Sequence, residues 1–316
     1  MSHQEKHPLD PGEGSRIFIA AGVLKHPGQL TPFFDITDPE AAPTITLGSE
    51  IFNGWGGNAA KNGGLDFCYD AELGIAGNCR GLPGEGIEGL RGFHEPVRRL
   101  RDLGFKVIFS ISNLPSERPI DVIPELAEKV VEIVRPTAIE VNLSCPNGML
   151  DDGSFHPPVC NNAKASGELM QATRSRVGAD QCLGIKDSAH VPTLRYNANV
   201  IEIMHLVRDT SPYIDFATGI NTIAEQPFPE LTAGGGRGGM SGPIIADVAR
   251  DWLENWRYYA PSRIAILSCG GVDSNNVAEE LPLRVSKGAL LVGGAQEFYR
   301  SGKPHELAAR WAIEAA

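Results

Sequence analysis

The chain has 316 residues, and its 42% hydrophobic and 21% charged residues are the proportions of a packed globular protein, too apolar for a disordered one. Its 28 Lys and Arg against 39 Asp and Glu leave a formal charge of -11, the wrong sign for a polyanion-binding surface, so nucleic acid is not an expected partner. No apolar run reaches the roughly 18 residues of a membrane span, and the first fourteen residues lack a signal-peptide core, which together predict a soluble, cytoplasmic chain with no membrane contact.

In chain order, eight short β-branched runs stand out: IFIAAGV at 17–23, TITLGS at 44–49, VIFSIS at 107–112, AIEVNLS at 138–144, LGIKDS at 183–188, IDFATGI at 214–220, IAILSCG at 264–270 and ALLVGG at 289–294. They are nearly continuous in apolar character, as parallel strands covered on both faces are. Between them, 124–134, 167–177, 199–209 and 244–260 place apolar residues three and four apart, the period of an amphipathic helix. Eight strands alternating with helices predict a (β/α)8 TIM barrel as one domain over 1–316, with a doubly wound sheet as the rival; in a barrel the site lies at the C-terminal strand ends. The stretch from 50 to 106, rich in Gly and Asn, is too long for a simple connection and predicts an elaboration over the barrel mouth after the second strand.

The six cysteines are dispersed, with no C-x-x-C pair, so neither a disulfide framework nor a metal site is expected. One of them carries chemistry by its neighbours. In EVNLSCPNGM, 140–149, a strand stops at Cys145 between Asn142 and Asn147. Amides offer a donor and an acceptor to a planar polar ring, and a thiol acts as a base once its proton is drawn off; the alternative is a buried structural cysteine in a strand ended by Pro146.

These residues resemble the class 1 dihydroorotate dehydrogenases and the related flavin domain of dihydropyrimidine dehydrogenases. The family's N-L-S-C-P-N signature stands at Asn142 to Asn147; GIK at 184–186, GINT at 219–222 and NCRGLPG at 78–84 follow family motifs, and the likeness extends over most of the chain. The resemblance implies an FMN-dependent oxidoreductase of pyrimidine biosynthesis that oxidises the C–C bond of dihydroorotate to orotate. It makes Cys145 the base and Lys186 the lysine beside the flavin. It places Asn78, Arg80, Gly81, Leu82, Asn142, Asn147, Asn221 and Thr222 on the substrate. On FMN it places Ala20, Ala21, Gly22, Asn142, Lys186, Gly242, Gly270, Gly271, Gly293 and Gly294. It further implies a homodimer and a possible separate electron-transfer subunit. The glycines after the sixth, seventh and eighth strands suit a phosphate, which main-chain N–H groups hold even in an acidic protein. GGGRGG, 234–239, is read as part of that phosphate region rather than as a dinucleotide fingerprint, with Arg237 either on the phosphate or in solvent.

One departure bears on the substrate. Where the family carries a lysine at the end of the second strand, TITLGSE offers Leu47 or Gly48, and the nearest cation by sequence is Arg80 in the expected carboxylate loop. Two rival readings follow: a related flavoenzyme acting on an uncharged dihydropyrimidine or other cyclic amide, and a flavin-free barrel using its glycine loops for a sugar phosphate. Residues 148–163 are read as a mobile lid, with His156 and Cys160 in it expected to be solvated rather than catalytic.

Overall fold

The computed structural model describes residues 6–36, 42–150, 152–191 and 199–314. Along the chain run β1 (Ile17–Leu24), β2 (Thr44–Glu50), α1 (Gly57–Asn62), β3 (Phe67–Asp70), β4 (Ile75–Asn78), α2 (Leu90–Asp102), β5 (Val107–Ile111), α3 (Pro119–Ile133) and β6 (Ala138–Asn142). The second half continues with α4 (Ala163–Val177), β7 (Cys182–Lys186), α5 (Val200–Thr210), β8 (Phe216–Gly219), β9 (Ile223–Pro227), β10 (Arg237–Ser241) and α6 (Ala246–Tyr259). It ends with β11 (Ala265–Cys269), α7 (Val277–Ser286), β12 (Leu291–Gly294), α8 (Gln296–Ser301) and α9 (Pro304–Glu314).

The strands β1, β2, β5, β6, β7, β8, β11 and β12 pair in parallel and close into a barrel, β1 joining both β2 and β12. These are the eight runs expected from their continuous apolar character, and closure excludes the doubly wound sheet. Their residues are buried almost throughout because the lumen takes one face and the helices the other. Phe18, Ile108, Ala138, Phe216, Leu267 and Leu291, from six strands, meet in one apolar cluster, which only the lumen allows. Leu9 joins it ahead of β1, while His7 Nε2 reaches the Asp215 carbonyl at 3.2 Å.

The elaboration after β2 folds as α1, the β3–β4 hairpin and α2. The hairpin pairs with β9 and β10 in a four-stranded antiparallel sheet of order β3-β4-β10-β9, so two distant insertions share one structure. α2 buries Leu90, Phe93, Val97 and Leu100, a three-four-three spacing legible in the sequence but hidden there among glycines and arginines. The helix expected from 124 begins earlier, with Pro119 in its first turn, where proline's fixed φ and missing N–H suit a helix start. α7, α8 and α9 were not anticipated; the first carries Pro282 and the second has six residues, both weak periodic signals.

Among the described residues no helix is long and apolar enough to cross a membrane.

Candidate functional site

A cleft of about 1190 Å3, counting its open mouth, lies at the C-terminal ends of the barrel strands. Ala20, Ala21 and Gly22 of β1 line it, as do Asn142 at the end of β6 and Lys186 at the end of β7. The loop after β4 brings Arg80, Gly81 and Leu82, with Asn78 at the strand end; Cys145 and Asn147 follow β6; Asn221 and Thr222 follow β8. Gly242, Gly270, Gly271 and Gly294 border it from the last strands. Segments 270 residues apart thus meet in one cleft, in the order the sequence motifs suggested.

Two expected contributions fall elsewhere. Gly293 does not line the cleft: it faces Phe18, whose carbonyl a Cβ there would strike, so it serves strand packing. None of GGGRGG, 234–239, lines the cleft either. Gly238 and Gly239 lie in β10, with Gly239 opposite Asn78, and Arg237 is exposed and pairs with Glu225 at 3.6 Å. Only the continuation, Ser241 to Pro243, reaches the cleft.

The amides are held before any ligand arrives. Asn142 Nδ2 donates to Ser49 Oγ at 3.0 Å, and its Oδ1 accepts from Ser144 N and Oγ. Ser49 Oγ meets Ser110 Oγ at 2.8 Å, and Ser110 donates to Glu140 Oε1 at 2.8 Å, so a polar chain beneath the cleft ties β2, β5 and β6 together. Asn147 Nδ2 donates to Asn78 Oδ1 at 2.7 Å, and Asn221 Nδ2 to Ser144 O at 3.1 Å. Four cleft atoms are buried without a hydrogen-bond partner among the described residues: Asn147 Oδ1, Thr222 Oγ1, Arg80 Nε and Gln296 Oε1. Buried polar groups are normally satisfied; Arg80 Nε has the Asp66 carboxylate 3.7 Å away and Thr222 Oγ1 lies against Gly239, which leaves Asn147 Oδ1 and Gln296 Oε1 as acceptors that a polar ligand would satisfy.

The end of β2, where the family carries a lysine and this chain has Leu47 and Gly48, brings no cation to the cleft. Leu47 is fully buried in the core, and Gly48 has φ +91° with the Ser110 carbonyl where a Cβ would stand, so β2 has no room for a side chain there. Lys25, directly after β1, does bring a cation to the cleft beside it: its Nζ donates to Pro83 O at 2.6 Å and Ser49 O at 3.3 Å, and it lines the cleft. Burial, then the Arg80 cation, push its pKa down to about 8, against the pull of Glu50 and Cys145. Sequence reading missed Lys25, although a lysine just past a strand's C-terminal end is where a barrel builds its site. Arg80 stands 3.7 Å from Asp66 and stacks over the Tyr299 ring at 5.1 Å.

Lys186 is 5% exposed, and its ammonium has no hydrogen bond or ion pair among the described residues. Its charge acts on both Cys145 and Cys269. Burial raises the Cys145 thiol above its ordinary range, opposed by the Asn147 N–H, then Lys25, Lys186 and the Gly148 N–H. The segment 148–163 holds an isolated bridge between Met149 and Phe155, and Asp151 lies outside the described residues. Cys160, expected to be solvated, is 1% exposed beneath it, whereas His156 is half-buried.

Glycine also shapes the far end of the cleft. Gly271 has φ +78°, and a Cβ there would run into the Ala246 backbone at the start of α6, so main chain alone faces the cleft at that point.

A family model described as dihydroorotate dehydrogenase matches residues 68–303. Dihydroorotate dehydrogenase B (NAD(+)), catalytic subunit, of Parabacteroides distasonis is 30% identical over 185 residues, 58% of this chain and just over half, 55%, of that protein. The protein of the same name from Desulforamulus reducens is 25% identical over 291 residues, 88% of this chain and 83% of that one. Among solved structures, the DHODH of Eimeria tenella in complex with ferulenol superposes with a TM-score of 0.72 at 15% identity, covering 93% of this chain and 79% of that one, a likeness of fold.

Proposed function

Because the chain belongs to the dihydroorotate dehydrogenase family, we propose that it is an FMN-dependent oxidoreductase that oxidises the C–C bond of dihydroorotate, or a close cyclic amide, with Cys145 as base. The observation that carries this reading is the meeting, in one cleft, of a thiol, the buried Lys186, the half-buried Lys25 and polar atoms without hydrogen-bond partners among the described residues.

The residues present fit FMN. The glycine-lined end, Gly242, Gly270, Gly271 and Gly294, lets main chain approach a phosphate without a side chain in the way. Ala20, Ala21 and Gly22 put only small residues on the wall that a ring system would face, Asn142 is fixed beside it, and the Lys186 ammonium, without an ion pair among the described residues, is available to its electron-rich edge. When bound, the flavin supplies a hydride acceptor.

The chain's own residues do the rest. Asn78, Asn147, Asn221 and Thr222 hold the planar amide ring, with Asn147 Oδ1 gaining the partner it lacks among the described residues. Gly81 and Leu82 shape the loop around it, and Lys25 with Arg80 faces a carboxylate. Cys145, as thiolate, takes the proton from the carbon beside the ring carbonyl while the adjacent carbon loses hydride on the other face. Lys25 and Lys186 favour that thiolate.

A second reading has a specific observation behind it. Arg80 already stands by Asp66, which offsets part of its charge and leaves room for an uncharged dihydropyrimidine. Anaerobic addition of dihydroorotate and, separately, dihydrouracil to the flavin-loaded protein decides between them. Bleaching by dihydroorotate supports the first; bleaching by dihydrouracil alone replaces it with the second; no response to either removes both.

The relatives' name, catalytic subunit of an NAD(+) enzyme, supports a separate electron-transfer subunit, and the family likeness supports a homodimer. Co-purification from native extract and sedimentation of the pure chain test these two points.

A further inference from the structure

Cys145 borders two cavities. Besides the main cleft, a second, half-open pocket borders it, which we call the rear pocket, with about 20 Å3 in which the centre of a water can sit and lined also by Leu82, Ser112, Asn113 and His156. That volume holds one ordered water, and Ser112 and Asn113 give the wall polar groups to receive it. Of the residues lining it, Cys145 and His156 are the two that titrate. His156 is fixed to the Cys145 turn, its backbone N–H donating to Gly148 O at 2.7 Å, while its half-buried ring keeps a face to solvent.

The base needs such an outlet. If Cys145 removes a proton in each turnover, its front face is covered by the ring it has just deprotonated, and Lys25 and Lys186 on that side carry positive charge. A proton leaving by the front meets two cations and the product. At the rear it meets one water and an imidazole, the side chain suited to exchanging protons near neutrality.

We propose that His156 is the proton outlet of Cys145: the S–H bond formed in the reaction breaks toward a water in the rear pocket, that water passes a proton to the imidazole, and His156 releases it to solvent. No electrons move, and the thiolate is restored for the next turnover. The inference rests on the reading of Cys145 as base. His156 acts through Cys145 and positions no part of the substrate.

Two experiments test it on the full chain. In the first, flavin-loaded His156→Ala turns over dihydroorotate at least tenfold more slowly than wild type with unchanged KM, and added imidazole restores the rate. Undiminished turnover, or a loss that imidazole does not restore, overturns the proposal. In the second, iodoacetamide alkylation of Cys145 is followed by peptide mass spectrometry across pH on flavin-free protein. Its profile moves to higher pH in His156→Ala, because the water that the imidazole holds against the sulfur, with its hydrogen bond to the thiolate, is lost; an unmoved profile overturns the link. Wild-type protein unresponsive to dihydroorotate sinks the functional reading instead, and the alkylation profile still decides whether His156 and Cys145 are linked.

Discussion

Charge at single residues sets how the cleft responds to pH. Lys25, with its pKa near 8, is charged below that value and neutral above it. An anion prefers the charged form, so orotate affinity falls as pH rises through about 8, measurable by titration of its binding. Lys25→Met abolishes that limb and weakens binding by about 1.5–3 kcal/mol, roughly 10- to 150-fold in Kd. Cys145 works in the opposite sense. Its thiol is held above the ordinary range, so the thiolate fraction, and the rate of substrate-driven reduction, climb with pH. Cys145→Ala slows that reduction by about 10^2 to 10^4 with flavin retained, read by stopped-flow absorbance. Much of this site was legible in the chain: Asn142, Cys145, Asn147, Lys186 and Asn221 sit in short contiguous motifs tied to strand ends. Lys25 was not, because its role depends on β1 and β2 standing side by side and on the missing Cβ of Gly48, neither of which a local motif encodes. Gly293 misled for a related reason: glycine at a strand end reads as a ligand contact when it is equally the mark of tight packing.

The end of β7 is held by a buried charge cluster. Asp187 Oδ2 accepts from the indole N–H groups of Trp252 and Trp256, each at 2.9 Å, and its Oδ1 from Ser188 N and from His190 Nε2 at 2.8 Å. Burial alone would raise the Asp187 pKa, but the His190 charge and these donors outweigh it and hold it low. For His190, burial would lower the value and Asp187 outweighs that, raising it. His190 therefore contributes stability at low pH that is lost as pH rises through its raised value. Asp187 contributes stability at high pH that is lost as pH falls through its lowered one. The pair stabilises the fold between those limits. Asp187→Ala leaves two indoles and a histidine unmatched and costs about 3–5 kcal/mol in urea unfolding, with the pH dependence from this pair removed. Asp187 also fixes the strand end by backbone: its N–H donates to Thr218 O, and its carbonyl accepts from Asn221 N. One residue after Lys186, this node holds Lys186 and Asn221, both lining the cleft, in one frame. The sequence could show the aspartate but not its partners, since α6 lies some sixty residues away.

At the scale of the molecule, the barrel was readable because each strand announces itself by continuous burial, whereas the small antiparallel sheet was not: its strands have four or five residues and pair across distant insertions. The cleft spans both structures, so a ligand that fills it couples them. FMN at about 100 times its Kd adds about 2.7 kcal/mol to stability, which for a chain of this size raises Tm by roughly 4 °C in a thermal scan. No shift on adding FMN to flavin-free protein counts against the cofactor.

The pairing of β4 with β10 also fixes when the site comes into being. Asn78 lies opposite Gly239, 161 positions later in the chain, and β1 closes the barrel only against β12. During synthesis the first half emerges with Asn78 paired to β3 but lacking its β10 partner, and every motif up to Lys186 waits for the last third. A nascent chain ending before β10 already carries Asn78, Asn142, Asn147 and Asn221, but the barrel is still open, so the cleft that joins them is completed only when the last strands pair.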